Sequence, residues 1–395
     1  MIYDFNEIVN RFNTESIKWD IVKEKFGDSD VIPMWVADMD FEVAKPISEA
    51  IRKRACHEIY GYTLKGESYY KAVINWMDKQ HNWNIEKEWI IYTPGIVPAL
   101  NYIIRTYANS GDEIIIQTPV YHPFYSSVKN NGCIIVENPL IYEKGCYKMD
   151  FEDLKEKITN RTKMLILCNP HNPVGRVWSR SELIELGQIC IDNNILVISD
   201  EIHFDLIYKG NEHTVFASIS KEFAENSVIC TAPSKTFNMA GLQVSNIIIP
   251  NEKLRNLYKI TLENNASTEI NSFATVALEA AYNEGDEWLQ QLMQYLEENL
   301  NFLMAYIKER IPKLKVIIPE GTYLVWIDCA ALNMSSQELQ DFFVKSVKVG
   351  FNDGILFGIE GAMFQRINIA CARSVLEEAL GRVEKSVNKF FYKDH

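Results

Sequence analysis

Short apolar runs alternate with longer amphipathic stretches through the middle of the chain. The runs are rich in Ile, Val and Leu, have the length of buried strands and end in polar residues. Between them, 96–108 and 181–193 are predicted helices, the second with Ser179 or Ser181 as its cap and Glu182 in its first turn. This pattern is typical of an α/β fold with a mainly parallel sheet flanked by helices. The predicted strands are 113–117, 133–137, 163–168, 195–199, 227–230 and 244–249.

The rest of the chain indicates two further parts. A long helical region over about 251–282 leads to a second block, with predicted elements at 322–328, 337–345, 366–370 and 374–391. Residues 1–45 contain no complete sheet unit, so we expect an N-terminal arm that joins the C-terminal block. The predicted organisation is an arm at 1–45, a large domain at 46–282 and a small α+β domain at 283–395.

Composition narrows the class of protein. With 395 residues, 47% of them hydrophobic and 24% charged, the chain can bury a large core and is neither disordered nor a small disulfide scaffold. The net charge of −13 opposes a broad, non-specific grip on nucleic acid or anionic membrane. The eight cysteines lack metal-site or paired secretory spacing, which favours reduced thiols in the cytoplasm.

The N-terminus and hydropathy favour a soluble protein. Asp4 and Glu7 lie where a signal peptide has a basic and then an apolar stretch. No apolar run approaches the ~20 residues of a membrane-spanning helix. We therefore expect no membrane association.

Polar residues follow three of the predicted strands directly. In open α/β sheets, ligands bind beyond the carboxyl ends of the strands, so these residues are the first candidates for a functional site. They are the turn Asn-Pro-His-Asn-Pro-Val-Gly at 169–175, then Asp200, Glu201 and His203, then Ser234 and Lys235.

Each of these groups alone also has a structural explanation. The Asn-Pro pairs are ordinary turn residues, and Asp200 and Glu201 could begin a helix. His203 could be a hydrogen-bonded interior histidine, and Lys235 could be solvated. A hydrolase-like dyad of Ser234 and Lys235 is disfavoured, because consecutive side chains of a strand point to opposite faces.

Together, the three strand ends supply a carboxylate, an amine and an amide. Pyridoxal phosphate requires this set: a lysine for covalent attachment, an anion at its pyridinium nitrogen and a donor to its ring oxygen. Its phosphate needs backbone N–H groups at the start of a helix, and Thr93-Pro94-Gly95 leads into the predicted helix at Ile96. That turn could also be a simple strand-to-helix connection.

Several motifs, in order along the chain, resemble one enzyme family. Pro94-Gly95, Tyr121, the 169–175 turn, Asp200 and Ser234-Lys235 resemble the fold-type I, aminotransferase-like pyridoxal-phosphate enzymes. The resemblance is closer to the MalY/PatB branch of cystathionine β-lyases, or C–S lyases. It lies in IPMWVADMDF at 32–41, YGYT at 60–63, DEIH at 200–203 and APSKTFN at 232–238. The resemblance implies a large domain with a mainly parallel sheet and a smaller C-terminal domain joined by the arm.

The resemblance also implies roles for residues around the cofactor. Lys235 would be the catalytic lysine, which attaches the cofactor and later moves the Cα proton. The cofactor-binding residues would be Asp200 at the ring nitrogen, Asn172 at the ring oxygen, Tyr121 on the ring face, His203 beside the ring, and Gly95, Ile96 and Val97 with Thr231 or Ser234 at the phosphate.

Substrate and subunit contacts follow from the same resemblance. Arg366 matches the arginine that binds the substrate α-carboxylate. The alternative explanation for Arg366 is that it forms an ion pair at the surface. Asn172 and the backbone at Val36 or Ala37 would also contact substrate. In the family's homodimer a tyrosine crosses to the neighbouring site; Tyr62 matches best and Tyr60 second.

Two positions depart from the aminotransferase pattern, and the first of them, a histidine expected of the lyase branch, favours a lyase. His203 stands where many aminotransferases have tyrosine, and Gln243 stands where they often have an arginine for the phosphate. The predicted function is β-elimination from L-cystathionine or L-cysteine S-conjugates to a thiol, pyruvate and ammonia, within cysteine and methionine metabolism. An aminotransferase and a regulatory binding protein with residual activity remain the alternatives, and a hydrolase without a cofactor ranks last. No metal site is predicted.

Overall fold

A seven-stranded sheet forms the centre of the larger part of the molecule. The computed structural model describes residues 2–391. Within them the strands are β1 (Ile32–Pro33), β2 (Ile90–Thr93), β3 (Glu113–Ile116), β4 (Ile134–Glu137), β5 (Ile141–Glu143), β6 (Cys146–Lys148), β7 (Thr162–Cys168), β8 (Leu196–Asp200), β9 (Ser227–Thr231), β10 (Ser245–Ile248), β11 (Lys315–Ile317), β12 (Leu324–Asp328), β13 (Val349–Gly350), β14 (Asn352–Asp353) and β15 (Phe364–Asn368). The central sheet has the order β2-β10-β9-β8-β7-β3-β4.

The central sheet is mainly parallel, as predicted. Only β10 runs antiparallel, to both β2 and β9. The pairs β9–β8, β8–β7, β7–β3 and β3–β4 are parallel. The carboxyl ends of β7, β8 and β9 therefore meet at one edge.

Both faces of this sheet are covered, which explains the continuous apolar strands. Along β7, Leu165 and Leu167 belong to one buried cluster, and Met164 and Ile166 belong to the cluster on the other face. Because side chains alternate between faces, a strand covered on both sides must be apolar at consecutive positions.

Helices cover the sheet and build the C-terminal part. Ser179 rather than Ser181 caps α7, through a capping box with Glu182. The helices are α1 (Val22–Phe26), α2 (Lys45–Ala55), α3 (Glu67–His81), α4 (Ile96–Tyr107), α5 (Pro123–Asn130), α6 (Phe151–Lys157), α7 (Arg180–Asp192), α8 (Lys221–Glu225), α9 (Pro233–Thr236), α10 (Glu252–Asn264), α11 (Ser272–Glu284), α12 (Asp286–Arg310), α13 (Ser336–Asp341) and α14 (Arg373–Phe391), and a π-helical segment, Phe342–Val347, follows α13.

The N-terminal arm pairs with the C-terminal block. Strand β1 runs parallel to β13, and β11, β12, β15 and β14 form a separate four-stranded antiparallel sheet. The arm is held internally by the buried carboxylate of Asp40, which binds Lys18 Nζ at 2.6 Å and Arg11 Nη1 at 2.7 Å.

Most predicted elements are present, with three differences. Predicted strand and helix ends differ by one or two residues from those observed. The predicted 251–282 helix is two helices, because Asn271 accepts hydrogen bonds from Phe273 N and Ala274 N and so caps a new helix. Strand β2, helices α2, α3 and α5 and the long helix α12 are among the elements that were not predicted.

Candidate active site

One cavity lies at the carboxyl ends of β7, β8 and β9. Most of the predicted cofactor-binding residues reach it from different connections. Its lining includes Ala37, Gly95, Ile96, Val97, Tyr121, Asn172, Asp200, His203, Ser234, Lys235 and Gln243, and also Pro94, Pro98, Cys168, Ile202, Ala240 and Val244.

Lys235 is held inside this cavity rather than solvated. It lies in the single turn α9, which follows β9, and its Nζ donates to the Ala37 carbonyl at 2.6 Å. Burial lowers the pKa of Lys235 to about 8; Arg366 lowers it too, whereas Asp38 and Asp200 oppose the decrease. An amine with this pKa is a better base near neutral pH than an ordinary lysine.

Asp200 is the last residue of β8 and is 3% exposed. No helix begins there, so the helix-start explanation for Asp200 and Glu201 is wrong. Burial raises the pKa of Asp200 to about 7, with Glu201 adding to the rise and the Ile202 N–H and Lys235 opposing it. A cation beside Asp200 would restore its charged form.

Asn172 and Arg366 form a connected pair. Arg366 Nη1 donates to Asn172 Oδ1 at 2.9 Å, and Nη2 donates to the Trp35 carbonyl at 3.0 Å and to Asn352 Oδ1 at 2.5 Å. Arg366 is 4% exposed, which excludes the surface ion pair, and its Nε is buried without a partner among the described residues. Because Asn172 accepts through its oxygen, its NH₂ group is left to donate elsewhere.

The end of the cavity beside α4 presents backbone donors. Gly95 precedes the helix with φ 156°, and a Cβ there would meet only Pro98 Cδ, at 3.6 Å. The N–H groups of Ile96 and Val97 open the helix, where an anion is favoured. Ser234 lines this cavity, whereas the Thr231 hydroxyl donates to the Asn246 carbonyl at 3.3 Å.

Ala37 lines another side of the cavity, and hydrogen bonds from other elements hold the 36–38 segment that carries it. Asn368 Nδ2 donates to the carbonyls of Val36 at 2.7 Å and Asp38 at 2.6 Å. The Tyr323 hydroxyl donates to the Ala37 carbonyl at 2.9 Å. Ala37 lines the cavity, and Val36 is beside it in the chain.

His203 is not a hydrogen-bonded interior histidine. Its Nδ1 is buried without a partner among residues 2–391. Burial, with Lys235 and Arg366 nearby, holds the pKa of His203 well below its usual range, so its imidazole is neutral. Gln243 lines the same cavity with its backbone at φ 54°.

Several predicted site residues do not line this cavity: Val36, Thr231, the two tyrosines, and Arg366, which contacts the lining residue Asn172. Tyr62 is 95% exposed and Tyr60 is 57% exposed, and neither lines it. Lys235 Nζ bonds the Ala37 carbonyl, so the Ser234–Lys235 hydrolase dyad is not the arrangement observed.

The residues that support the site from behind were not predicted from the sequence. Asn352 pairs in register with Arg366 across β14 and β15, and nothing in the sequence shows that register. Asn368 lies two residues beyond Arg366 on the same strand and therefore on the same face, a signal that could have been used. No feature of the sequence indicated that Tyr323 would support the site.

The donor set of this cavity fits pyridoxal phosphate. A buried carboxylate that forms no ion pair within residues 2–391 suits a pyridinium nitrogen, and an unused amide NH₂ suits a ring oxygen. The α4 N-terminus suits a phosphate, and the amine of Lys235 can attach an aldehyde. Groups of three or more His, Cys, Asp or Glu placed to hold a metal ion are absent from the described residues.

Comparisons with known proteins agree with this geometry. Residues 29–383 match the family model of class I and II aminotransferases. Cystathionine beta-lyase PatB of Bacillus subtilis is 43% identical, over 98% of this chain and 100% of PatB. Two crystal structures have a TM-score of 0.96 and cover 98% of this chain and 100% of theirs. One is a pyridoxal-phosphate-bound putative aminotransferase from Clostridium difficile, 49% identical, and the other is cystalysin from Treponema denticola with pyridoxal 5′-phosphate, 38% identical.

Proposed function

The chain belongs to the class I and II aminotransferase family, and we propose that it is a pyridoxal-phosphate-dependent carbon–sulfur β-lyase. The observation that carries this proposal is that Lys235, Asp200 and Asn172 line one cavity. The full-length similarity to PatB supports a lyase over other activities of the family. The proposed substrates are L-cystathionine and L-cysteine S-conjugates, which with water yield a thiol, pyruvate and ammonia.

The cofactor would be held by residues at all sides of the cavity. Lys235 Nζ would attach its aldehyde carbon with loss of water, Asp200 would pair with its ring nitrogen, and Asn172 would donate to its ring oxygen. Tyr121 would cover a ring face, and His203 would lie beside the ring as a neutral imidazole. The Gly95–Val97 backbone and the Ser234 hydroxyl would bind the phosphate. Thr231 is the weaker candidate there, because its hydroxyl is already engaged.

The substrate carboxylate would bind between Arg366, Asn172 and the backbone at Val36 or Ala37. Arg366 offers its unpartnered Nε, and a planar guanidinium matches a carboxylate in shape. This contact orients the substrate so that its Cα–H bond faces Lys235.

The reaction then requires removal of the proton on Cα and cleavage of the Cβ–S bond. When bound, pyridoxal phosphate withdraws electrons from the substrate Cα and stabilises the negative charge formed there. Lys235, set free when the substrate amine takes its place, would remove the Cα proton through Nζ. The electron pair left at Cα would form a Cα–Cβ double bond as the Cβ–S bond breaks, and the departing thiolate would take the proton from the Lys235 ammonium group to become the thiol. Hydrolysis of the remaining three-carbon fragment gives pyruvate and ammonia.

Product analysis separates this lyase from an aminotransferase. Protein with bound cofactor is incubated with L-cystathionine in the absence of any oxo acid, and pyruvate and thiol are measured. A lyase releases both continuously, whereas an aminotransferase stops after a single half-reaction. Lys235→Ala should abolish release, and its visible cofactor absorbance should be lost. A colourless protein that cannot be reconstituted, or one without thiol release, would overturn the proposal.

We further propose a homodimer in which Tyr62 reaches the neighbouring site. The segment around Tyr62 carries unusually exposed apolar side chains: Ile59 at 67%, Tyr60 at 57%, Tyr62 at 95% and Leu64 at 84%. The Tyr60 hydroxyl donates to the Ala55 carbonyl of its own chain at 2.7 Å, which leaves Tyr62 the better candidate.

We also propose that the protein is located in the cytoplasm. All eight cysteines, which lie within residues 2–391, are free thiols, and reduced thiols are typical of that compartment. In those residues, no helix combines the length and apolar character needed to cross a membrane. Cell fractionation followed by detection of the protein tests this proposal.

A further inference from the structure

A buried carboxylate lies behind the turn that carries Lys235. Asp205 is in the connection after β8, and its side chain is 1% exposed. It binds three other side chains: Thr236 Oγ1 donates to Oδ2 at 2.6 Å, and Oδ1 contacts His81 Nε2 at 2.8 Å and Trp76 Nε1 at 3.1 Å. Asp205 therefore joins α9 to α3.

Thr236 connects this carboxylate to the reactive lysine. It follows Lys235 in α9, is fully buried, and points to Asp205 while Lys235 points into the cavity. A helix of four residues gains little stability from its own backbone hydrogen bonds. The bond to Asp205 therefore has a large influence on where this turn sits.

The carboxylate is itself rigidly held. His81 is stacked on Phe204, with ring centroids 4.2 Å apart and an interplanar angle of 11°. Trp76 is stacked on Tyr282 at 4.9 Å and 10°. Both partners of Oδ1 are thus fixed by aromatic packing, and a fixed acceptor gives the Thr236 hydroxyl a single position.

We propose that Asp205 is a positioning residue for Lys235. Through its hydrogen bond with Thr236, Asp205 keeps the lysine Nζ in the cavity. Asp205 does not touch cofactor or substrate in this scheme. Its kinetic consequence rests on the proposed lyase activity, but its effect on Lys235 does not, so the two can be tested separately.

The direct test measures Lys235 in cofactor-free protein. The protein is treated with acetic anhydride across a pH series, and acetylation of Lys235 is followed by peptide mass spectrometry. Thr236→Val removes the hydroxyl and keeps the shape, so the turn should loosen and Lys235 should become better solvated. The labelling midpoint should then rise by about 0.5 to 1 pH unit. Thr236→Ser, which keeps the hydroxyl, should stay within about 0.2 units of the unmodified protein.

Thr162→Val is the matched control. Thr162 is also buried and donates to a carboxylate, Glu113 Oε2 at 3.2 Å, but it begins β7 at the opposite end from the cavity. Its substitution should lower stability without changing Lys235 labelling. An equal shift in Thr162→Val, or an unchanged midpoint in Thr236→Val, would overturn the proposal. If Thr236→Val does not fold, Thr236→Ala, which also removes the hydroxyl, must give the upward shift instead.

Kinetics provide the second readout. With an α-deuterated cysteine S-conjugate, Thr236→Val should lower kcat about tenfold with little change in KM, and the deuterium isotope effect on kcat should increase, because Lys235 takes the proton from a poorer position. A purely structural role would lower the amount of active enzyme and leave the isotope effect unchanged. If the unmodified protein shows no lyase activity, the proposed function fails, and the labelling experiment still decides the role of Asp205.

Discussion

Arg366 donates a hydrogen bond from Nη1 to Oδ1 of Asn172 over 2.9 Å. This contact links the proposed carboxylate-binding residue to the proposed ring-oxygen donor. It fixes the amide so that the oxygen faces the guanidinium and the NH₂ group faces away from it. Arg366, which lies in the C-terminal four-stranded sheet, therefore sets the orientation of Asn172, which follows strand β7 of the central sheet.

Arg366→Lys should weaken substrate binding more than it weakens the fold. A lysine keeps the charge but cannot reach Asn172, Asn352 and the Trp35 carbonyl together, and it loses the planar contact with a carboxylate. We expect KM for L-cystathionine to rise about ten- to hundredfold, as for the loss of a charged hydrogen bond of about 1.5–3 kcal/mol. Steady-state kinetics measure this, with Arg310→Lys as a surface control. An unchanged KM would contradict the carboxylate role of Arg366.

The central site was accessible to sequence reasoning because strand ends are local features. Asn172, Asp200 and Lys235 each follow an apolar run, and β7, β8 and β9 are parallel neighbours, so their connections meet at one edge. The family resemblance added roles to these residues. The structure brings the three to one cavity, which alternation of strands and helices alone could not establish.

The supporting residues were not accessible in the same way. Asn352 reaches Arg366 through antiparallel pairing of β14 with β15, and Asp205 reaches Lys235 through Thr236. Such relationships depend on register and on packing between distant segments, which local periodicity does not encode. The 25-residue helix α12 was not predicted, although its buried residues Leu292, Leu296 and Leu300 recur at helical spacing.

Asp200 should make the stability of the cofactor-free protein depend on pH. Its pKa is raised to about 7 by burial, above the ordinary value of 3.8. Between about pH 4 and pH 7 the folded protein keeps a proton on Asp200 that the unfolded chain has lost. This group's stabilising contribution is therefore complete below about pH 4 and is lost as the pH rises through about 7.

The corresponding experiment compares unmodified protein with Asp200→Asn by urea unfolding at pH 5 and pH 8. The unmodified protein should lose more free energy of unfolding between these pH values than the variant, by about 2–3 kcal/mol. Bound pyridoxal phosphate should reduce the difference, because its pyridinium nitrogen favours the carboxylate. Identical pH dependence in both cofactor-free proteins would contradict the elevated pKa.

Asp40→Ala should destabilise the N-terminal arm strongly. Asp40 binds the ammonium group of Lys18, whose side chain is 1% exposed, and the substitution leaves that charge buried without its partner. The expected loss is about 3–5 kcal/mol in free energy of unfolding. Glu143→Ala, which removes an exposed pair with Lys148, is the control and should cost under about 1 kcal/mol. Similar losses in both variants would contradict a buried, structurally important ion pair.

Subunit mixing tests whether Tyr62 completes the neighbouring site. Lys235→Ala and Tyr62→Ala are each expected to have little activity as pure dimers. In a mixed dimer, the subunit with intact Lys235 receives an intact Tyr62 from its partner, so one of its two sites is complete. Random exchange of equal amounts makes about half of all dimers mixed, and activity should therefore recover to about a quarter of the unmodified level. If Tyr62 acts within its own chain, both sites of the mixed dimer remain defective and mixing restores nothing. Exchange is followed independently with differently tagged subunits, so that a failure of exchange is recognised as such.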